Sequence, residues 1–194
     1  SAVTRIGSST HFYLRAALRV VGLDADKDLT ILQLGAGPEM ATALESGRIA
    51  VAALNTRYAT PFLRRNWPVL VDLTKTDLVY PSACVTASRA FVKAESKIVE
   101  DFLNGYVAGI QLIKKDSAFA GRSLVKWTRE KDDYVVTKSI ETHARTVKSL
   151  PYVPDKGIEN ILKDLASRRN VPKEFYGRPE LFRDNGPLDR ALTR

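Results

Sequence analysis

Apolar and polar positions change their rhythm twice along the chain, and the elements follow from that rhythm. Val3 to Ile6 forms a short extended candidate, and Gly7-Ser8-Ser9-Thr10 leads on from it. From His11 to Val21, Phe12, Ala16 and Val20 recur at i+4, as do Tyr13, Ala17 and Val21. That period predicts a helix, and Gly22 sits where a glycine closes one. Leu29 to Leu34 is a second strand candidate, bounded by Gly35-Ala36-Gly37. Pro38 suits a first helical position, so Pro38 to Ser46 reads as a helix ending at Gly47. Ile49 to Leu54 is unbroken apolar, the pattern of a strand covered on both faces. Residues 3–54 therefore alternate strand and helix, which implies a parallel sheet with crossover helices.

Beyond residue 54 the elements shorten. Ala59 to Arg65 reads as a helical turn, Pro68 to Leu73 as a strand, and Leu78 to Val92 as extended despite Pro81. The second change comes after residue 92. Ile98, Val99, Phe102, Leu103, Tyr106, Val107, Ile110 and Ile113 fall on a helical stripe. Ala118 to Glu130 and Tyr134 to Leu150 also read as helices. Asp155 caps another, reaching about Arg169. The Pro- and Gly-rich stretch Val171 to Arg194 is expected to wrap on a surface without regular structure. Three segments result: 1–78 as an α/β lobe, 79–92 as a hinge or crossover, and 93–194 as a helical return.

Composition narrows the class. The chain has 194 residues, 44% apolar and 27% charged, with one Cys and two His. The apolar content excludes disorder as the main state. No apolar run reaches the ~20 residues of a membrane span, and Cys84 cannot form an internal disulfide. A structural zinc site is not expected. The net charge of +8 is uneven, with twelve basic against ten acidic residues in 1–113 and eighteen against twelve in 114–194. No basic run exceeds a pair, and no recognition motif accompanies the charge, so nucleic acid is not expected as a partner. A field that attracts small anions remains. The chain opens on Ser1-Ala2 without an initiator Met or leader, and is read as a fragment.

Two places carry candidate binding chemistry. Gly7, Ser8, Ser9 and Thr10 stand between a strand and a helix, where unpaired backbone N–H groups and the helix dipole favour anions. The alternative is simple capping by Ser8 or Ser9. Asn55, Thr56 and Arg57, followed by Tyr58, come after the apolar run 49–54. In open α/β sheets ligands bind outside the carboxyl ends of strands, so both loops are expected to face one crevice. Arg57 could clamp a carboxylate, sulfonate or phosphate; the alternative is a surface Arg paired with an acid. Tyr80, before Pro81-Ser82, is a candidate pocket wall or a strand-edge aromatic. His11 and His143 are expected at the surface, and Trp67 and Trp127 in a core or interface. Catalytic signatures are missing. Gly35-Ala36-Gly37-Pro38-Glu39-Met40 has Met where a dinucleotide fingerprint needs its third Gly. There is no P-loop, no Gly-x-Ser-x-Gly elbow and no cluster with metal-ligand spacing. No enzymatic activity and no cofactor are expected.

Arg5 to His11, Leu18 to Leu34 with Gly22-Leu23-Asp24, and Glu39 to Leu54 with Ala43-Leu44-Glu45-Ser46-Gly47-Arg48-Ile49 form a familiar order, extended by the Phe102 to Ile113 helix. In these stretches the chain resembles the solute-binding proteins of ABC importers in the nitrate/sulfonate/taurine class, within the thiamine-pyrimidine-synthesis-like superfamily. The resemblance covers most of residues 3–115. It implies an α/β fold: a type II periplasmic-binding-protein-like lobe with a parallel-rich sheet, followed by a helical C-terminal region. It further implies that the N-terminal lobe is not part of this chain. The ligand contacts of such a lobe fall on Gly7, Ser8, Ser9, Thr10, Asn55, Thr56 and Arg57, with Tyr80 near a returning hinge. The expected function is capture of a small anionic solute in an interlobe cleft, outside the cytoplasm, in partnership with an ABC permease. Apolar surface left uncovered by the missing lobe would promote self-association. A ligand-sensing domain of a transcription regulator is the alternative. An enzyme of the pyrimidine-forming branch is disfavoured, since it needs Cys-rich sequence and Cys84 stands alone.

Overall fold

The computed structural model describes residues 1–193. Among them the chain is 57% helical, with nine α-helices and a two-stranded parallel sheet. By contacts it divides into two compact units, residues 1–78 with 121–145, and residues 79–120 with 146–194.

In the first unit, β1 (Ala2–Val3) pairs in parallel with β2 (Leu32–Gln33). A single parallel bridge joins Ala2 to Ala52 on its other side. Helix α1 (Ser9–Val20) connects the strands, and α2 (Gly37–Glu45) leads from β2 towards the bridge. Strand geometry sends successive side chains to opposite faces, and here Ala2 and Val3 go separate ways. Ala2 packs with Met40, Ala43 and Ile49; Val3 packs with Leu14, Leu18 and Ala25. Helix α1 ends at the expected place. Gly22 adopts a φ of 77°, Leu23 N–H reaches Leu18 O at 2.9 Å and Gly22 N–H reaches Arg19 O at 3.2 Å. That is a Schellman closure, which needs a left-handed residue after the cap.

The expected parallel-rich sheet does not form, and the periplasmic-binding-protein lobe is overturned with it. The chain leaves β1 after two residues, because Thr4 turns into a hydroxyl cluster that opens α1. Ile49 to Leu54 contains three alanines among six residues. Alanine is depleted in strands and offers little area to cover, and only Ala52 bridges. Pro68 to Leu73 pairs with nothing in this unit; Val69 and Leu70 are 57% and 71% exposed. Apolar area is buried by helix faces instead.

Helix α3 (Thr56–Arg64) begins three residues before the expected turn. It ends on Asn66 at a φ of 60°, with Trp67 N–H on Phe62 O at 3.0 Å. The Phe62 and Trp67 rings then meet edge-on at 5.0 Å, the apolar contact that accompanies such a cap. The unit is completed by most of α6 (Ser117–Thr128) and α7 (Asp133–Thr146). Trp127, expected in a core or interface, is 79% exposed.

The second unit holds α4 (Arg89–Ala94), α5 (Ser96–Lys115), α8 (Asp155–Ala166) and α9 (Gly186–Leu192). Val107 and Ile110 of α5, Ile158 and Leu162 of α8, and Leu188 and Ala191 of α9 are buried. Glu100 of α5 accepts from Arg190 Nε of α9 at 2.8 Å. The C-terminal stretch, expected to be irregular, forms α9 and two 3-10 turns, 173–175 and 179–181. Asn185 pins the entry to α9: its side chain accepts from Val153 N–H at 3.1 Å and donates to Val153 O at 3.2 Å.

Candidate functional site

Parallel pairing sets the carboxyl ends of residues 2–3, 32–33 and 52 at one edge of the first unit. Three helices start there. Gly35 N–H donates to Thr4 O at 3.1 Å, and Ile6 N–H donates to Gln33 Oε1 at 2.8 Å, so the approaches to α1 and α2 run together. The Tyr58 ring of α3 lies on Gly37, where an added Cβ would stand 2.1 Å from a ring carbon. The starts of α2 and α3 therefore also touch. Each helix start carries about half a positive charge in unpaired N–H groups.

At α1, Gly7 takes a φ of 87°, a backbone shape that glycine adopts without strain. Ser8 is the N-cap residue, yet its side chain makes no capping hydrogen bond. Its hydroxyl donates backwards to Arg5 O at 2.7 Å. Thr4, Ser8 and Thr10 hydroxyls stand 2.9 to 3.0 Å from one another, and Thr10 Oγ1 also accepts Thr4 N–H at 2.9 Å. The Ser8 proton is committed to Arg5 O, so two protons serve three hydroxyl pairs, and two of the three can be hydrogen bonds at one time. The hydroxyls thus hold one another. No acidic residue sits in the first turn of α1. His11, expected at the surface, is 2% exposed and accepts Gly7 N–H on Nδ1 at 3.1 Å. It shapes the glycine turn from beneath.

Helix α2 likewise lacks a side-chain cap, since Ala36 occupies that position. Its first turn carries Glu39. Helix α3 is different. Asn55 Oδ1 accepts Tyr58 N–H at 3.3 Å, so this side chain caps its own helix. Thr56 contributes a carbonyl that accepts the Thr60 hydroxyl at 2.7 Å.

Arg57 is engaged within the unit. Its Nε donates to Glu130 Oε2 at 3.0 Å, and its Nη2 donates to Thr128 O at 3.2 Å. The guanidinium also lies 5.5 Å from the Tyr58 ring centroid, within cation–π range. Seven residues on, Arg64 reaches Asp132 at 3.3 Å and stands 5.3 Å from the Tyr134 ring. Two arginines on one face of α3 thereby clasp the turn between α6 and α7. Glu130 also accepts Lys131 N–H at 3.0 Å and Asp132 N–H at 3.3 Å on Oε1. Partial burial pushes its carboxyl up, but the Arg57 hydrogen bond and these two N–H donors outweigh that and leave it below its ordinary value. A ligand held on the Nε edge of Arg57 must displace Glu130. Sequence reading missed Glu130, which lies 73 residues from Arg57; nothing local marks one glutamate among many as the partner.

Tyr80 belongs to the second unit, where it is half-buried and its carbonyl accepts Ser82 N–H at 2.9 Å. It is not one of the residues gathered at the helix starts of the first unit. Cys84 is exposed, and burial of its thiol raises its pKa, which works against thiolate chemistry. Among the described residues, no group of His, Cys, Asp or Glu could hold a metal ion, and no helix is long and apolar enough to cross a membrane. No family model, curated protein or solved structure matches this chain.

Proposed function

We propose that the first unit binds a small anion at the convergence of its helix starts, as the solute-binding component of an ABC importer working outside the cytoplasm. The observation that carries the anion is the meeting of α1, α2 and α3 at one edge, with α1 and α2 lacking side-chain caps. Backbone donors there are fixed in direction and need no reorganisation to meet negative charge. The importer, its permease and the setting rest on the resemblance of residues 3–115 alone. Asn55 and Arg57 act in this reading by shaping the rim, since both are already engaged.

The test is a thermal-shift screen with nitrate, alkyl sulfonates and carboxylates, repeated on Ser9→Pro. Proline is tolerated at a first helical position and removes one N–H. Ser8, at φ −78° and ψ 174°, already has the extended shape required before proline. A ligand at a hundred times its Kd adds about 2.7 kcal/mol, a rise of several degrees for a chain of this size. Ser9→Pro should keep the melting temperature of the unliganded protein and weaken binding about tenfold, ~1.4 kcal/mol. A folded protein that responds to none of these anions, or a Ser9→Pro variant that responds equally, overturns the proposal. A response to one anion class without any coupling to a permease would leave the site and remove the importer.

A further inference from the structure

The part of α6 that belongs to the first unit ends in Trp127, 79% exposed and the most exposed large apolar side chain among the described residues. No other ring lies against it among those residues. What meets the indole is a cation: Lys126 Nζ stands 5.3 Å from the ring centroid, within cation–π range. The other tryptophan, Trp67, is held edge-on against Phe62. Trp127 thus leaves in water the apolar area that a tryptophan ordinarily buries.

Three more cations stand close by in the chain. Arg122 precedes Lys126 at i−4 and Arg129 follows it at i+3, a spacing that sets the three on one side of the helix. Arg129 N–H bonds to Val125 O at 2.8 Å, which keeps it on the helical path as the chain turns away. Lys131 lies in that turn. All four are exposed, and none forms an ion pair among the described residues. The acids beside them are engaged within the unit, Glu130 by Arg57 and Asp132 by Arg64. Asp133, exposed at the start of α7, is the third acid of residues 121–133 and the one without such a pair. Four cations therefore face one unpaired acid. The negative end of the helix dipole accounts for Lys126 and Arg129, but not for Arg122, Lys131 or an indole in water.

This combination is complementary to an anionic lipid surface. Indoles settle at headgroup level, where the ring meets apolar chains and the N–H meets oxygen acceptors. Basic side chains are drawn to anionic headgroups there. A protein partner fits less well, because lysine is depleted from the cores of protein interfaces and here a lysine sits on the ring that would anchor one. Single-stranded nucleic acid stacks successive bases on successive rings, and Trp127 is one ring with a cation over it.

We propose that the Trp127 end of α6 docks on an anionic lipid surface, with the indole at headgroup level and Arg122, Lys126, Arg129 and Lys131 against the headgroups. No residue of the anion site takes part, so either proposal can fail without the other. Each cation near such a surface raises partitioning about fivefold, so the four favour anionic over neutral lipid by about a few hundredfold. Binding of that strength is peripheral and reversible.

The test is co-sedimentation of the whole chain with vesicles of phosphatidylglycerol and phosphatidylcholine in equal parts, against pure phosphatidylcholine. The protein should sediment with the first and not the second, and its tryptophan emission should move to shorter wavelength. Raising salt from about 0.01 M to about 0.15 M shortens the Debye length from about 30 Å to about 8 Å and should release most of it. Arg122→Gln with Lys126→Gln should weaken partitioning about 25-fold, and Trp127→Ala about tenfold. Trp127→Phe, which leaves only Trp67, should abolish the emission shift. Circular dichroism melts should stay unchanged, since all these side chains are exposed. Arg169→Gln with Lys173→Gln removes the same charge from the second unit and should weaken partitioning far less. Failure to sediment with the anionic vesicles overturns the proposal, as does equal binding to phosphatidylcholine. A control pair as damaging as Arg122→Gln with Lys126→Gln would assign binding to net charge and reject the patch. An emission shift that survives Trp127→Phe would place the contact elsewhere. Retention on oligothymidylate or polyglutamate without vesicle binding, lost in the same variants, would assign the patch to another polyanion and reject lipid.

Discussion

Gly157 and Gly105 both sit in helices of the second unit, and the structure demands opposite responses when each becomes alanine. Gly157 lies in the first turn of α8 and is buried. A Cβ there would stand 2.7 Å from Pro81 Cδ, 3.3 Å from Pro154 Cγ and 3.4 Å from Pro81 Cγ. Carbon atoms in contact prefer about 3.5–4.0 Å, so the nearest overlap approaches 1 Å, by that standard. Pro81 cannot swing a ring that is fused to its own backbone. The segment is also tied to α8, because Asn160 Nδ2 donates to Val79 O at 2.9 Å. Relief requires the backbone of residues 79–82 to move. Overpacking of this kind costs ~1–3 kcal/mol. Alanine returns at most ~1 kcal/mol of helix propensity, and less in a first turn than in an interior. Gly157→Ala should therefore lose about 1–2 kcal/mol net, by these two terms. At Gly105 the same substitution meets nothing within 4 Å and should gain ~0.8–1 kcal/mol. Urea denaturation measures both. The reasoning fails if Gly157→Ala equals or exceeds the parent in stability, or if Gly105→Ala falls with it.

Three further outcomes rest on contacts within the two units. Glu130→Gln keeps an oxygen for the Lys131 and Asp132 N–H groups but loses the ion pair with Arg57, so it should cost ~1 kcal/mol at pH 7 for a pair this far from full burial. Because the folded carboxyl lies below its ordinary 4.5, its stabilisation is complete above that value and is lost as pH falls through the folded value. The gap between parent and Glu130→Gln should narrow as pH falls below the ordinary carboxyl range and through the folded value, by that linkage; a gap of constant size across an acid titration would remove Glu130 as an anchor. Asn185→Ala leaves the half-buried Val153 N–H and carbonyl without their side-chain partner and should cost ~1–3 kcal/mol, read by thermal melting. Gly37→Ala drives a Cβ into the Tyr58 ring and should lower the melting temperature while shifting the near-ultraviolet signal of that tyrosine; an unchanged melt would mean the ring turns aside freely.

Much of the helical half is legible in the amino-acid order. The i+4 recurrence in α1, the glycine that closes it and the apolar spacing of α5 are local facts, and local hydrogen bonds and side-chain neighbours enforce them. The candidate chemistry is legible in part for the same reason. A Gly-Ser-Ser-Thr run before a helix marks a helix start, whatever the sheet beside it does. The strands are another matter. A strand gains its hydrogen bonds only from a partner remote in sequence, so an apolar run such as Ile49 to Leu54 states a capacity to pair and not the extent of pairing. Only Ala52 of that run bridges.

The amino-acid order by itself determined α1 with its glycine end, α2, the long α5, and the positive charge that favours anions. Tertiary structure decided the rest, because each remaining question depended on which distant groups meet. It turned Arg57 from a prospective ligand clamp into the fastener of the α6–α7 turn through Glu130. It placed His11 beneath the Gly7 turn and divided one apolar repeat on α5 into a core face and an open face. It also folded a proline-rich C-terminal stretch into α9, where Asn185 and Arg190 find Val153 and Glu100. Helix periodicity is written within a few residues, whereas the partner of a buried charge or an edge strand is chosen only when the chain has closed on itself.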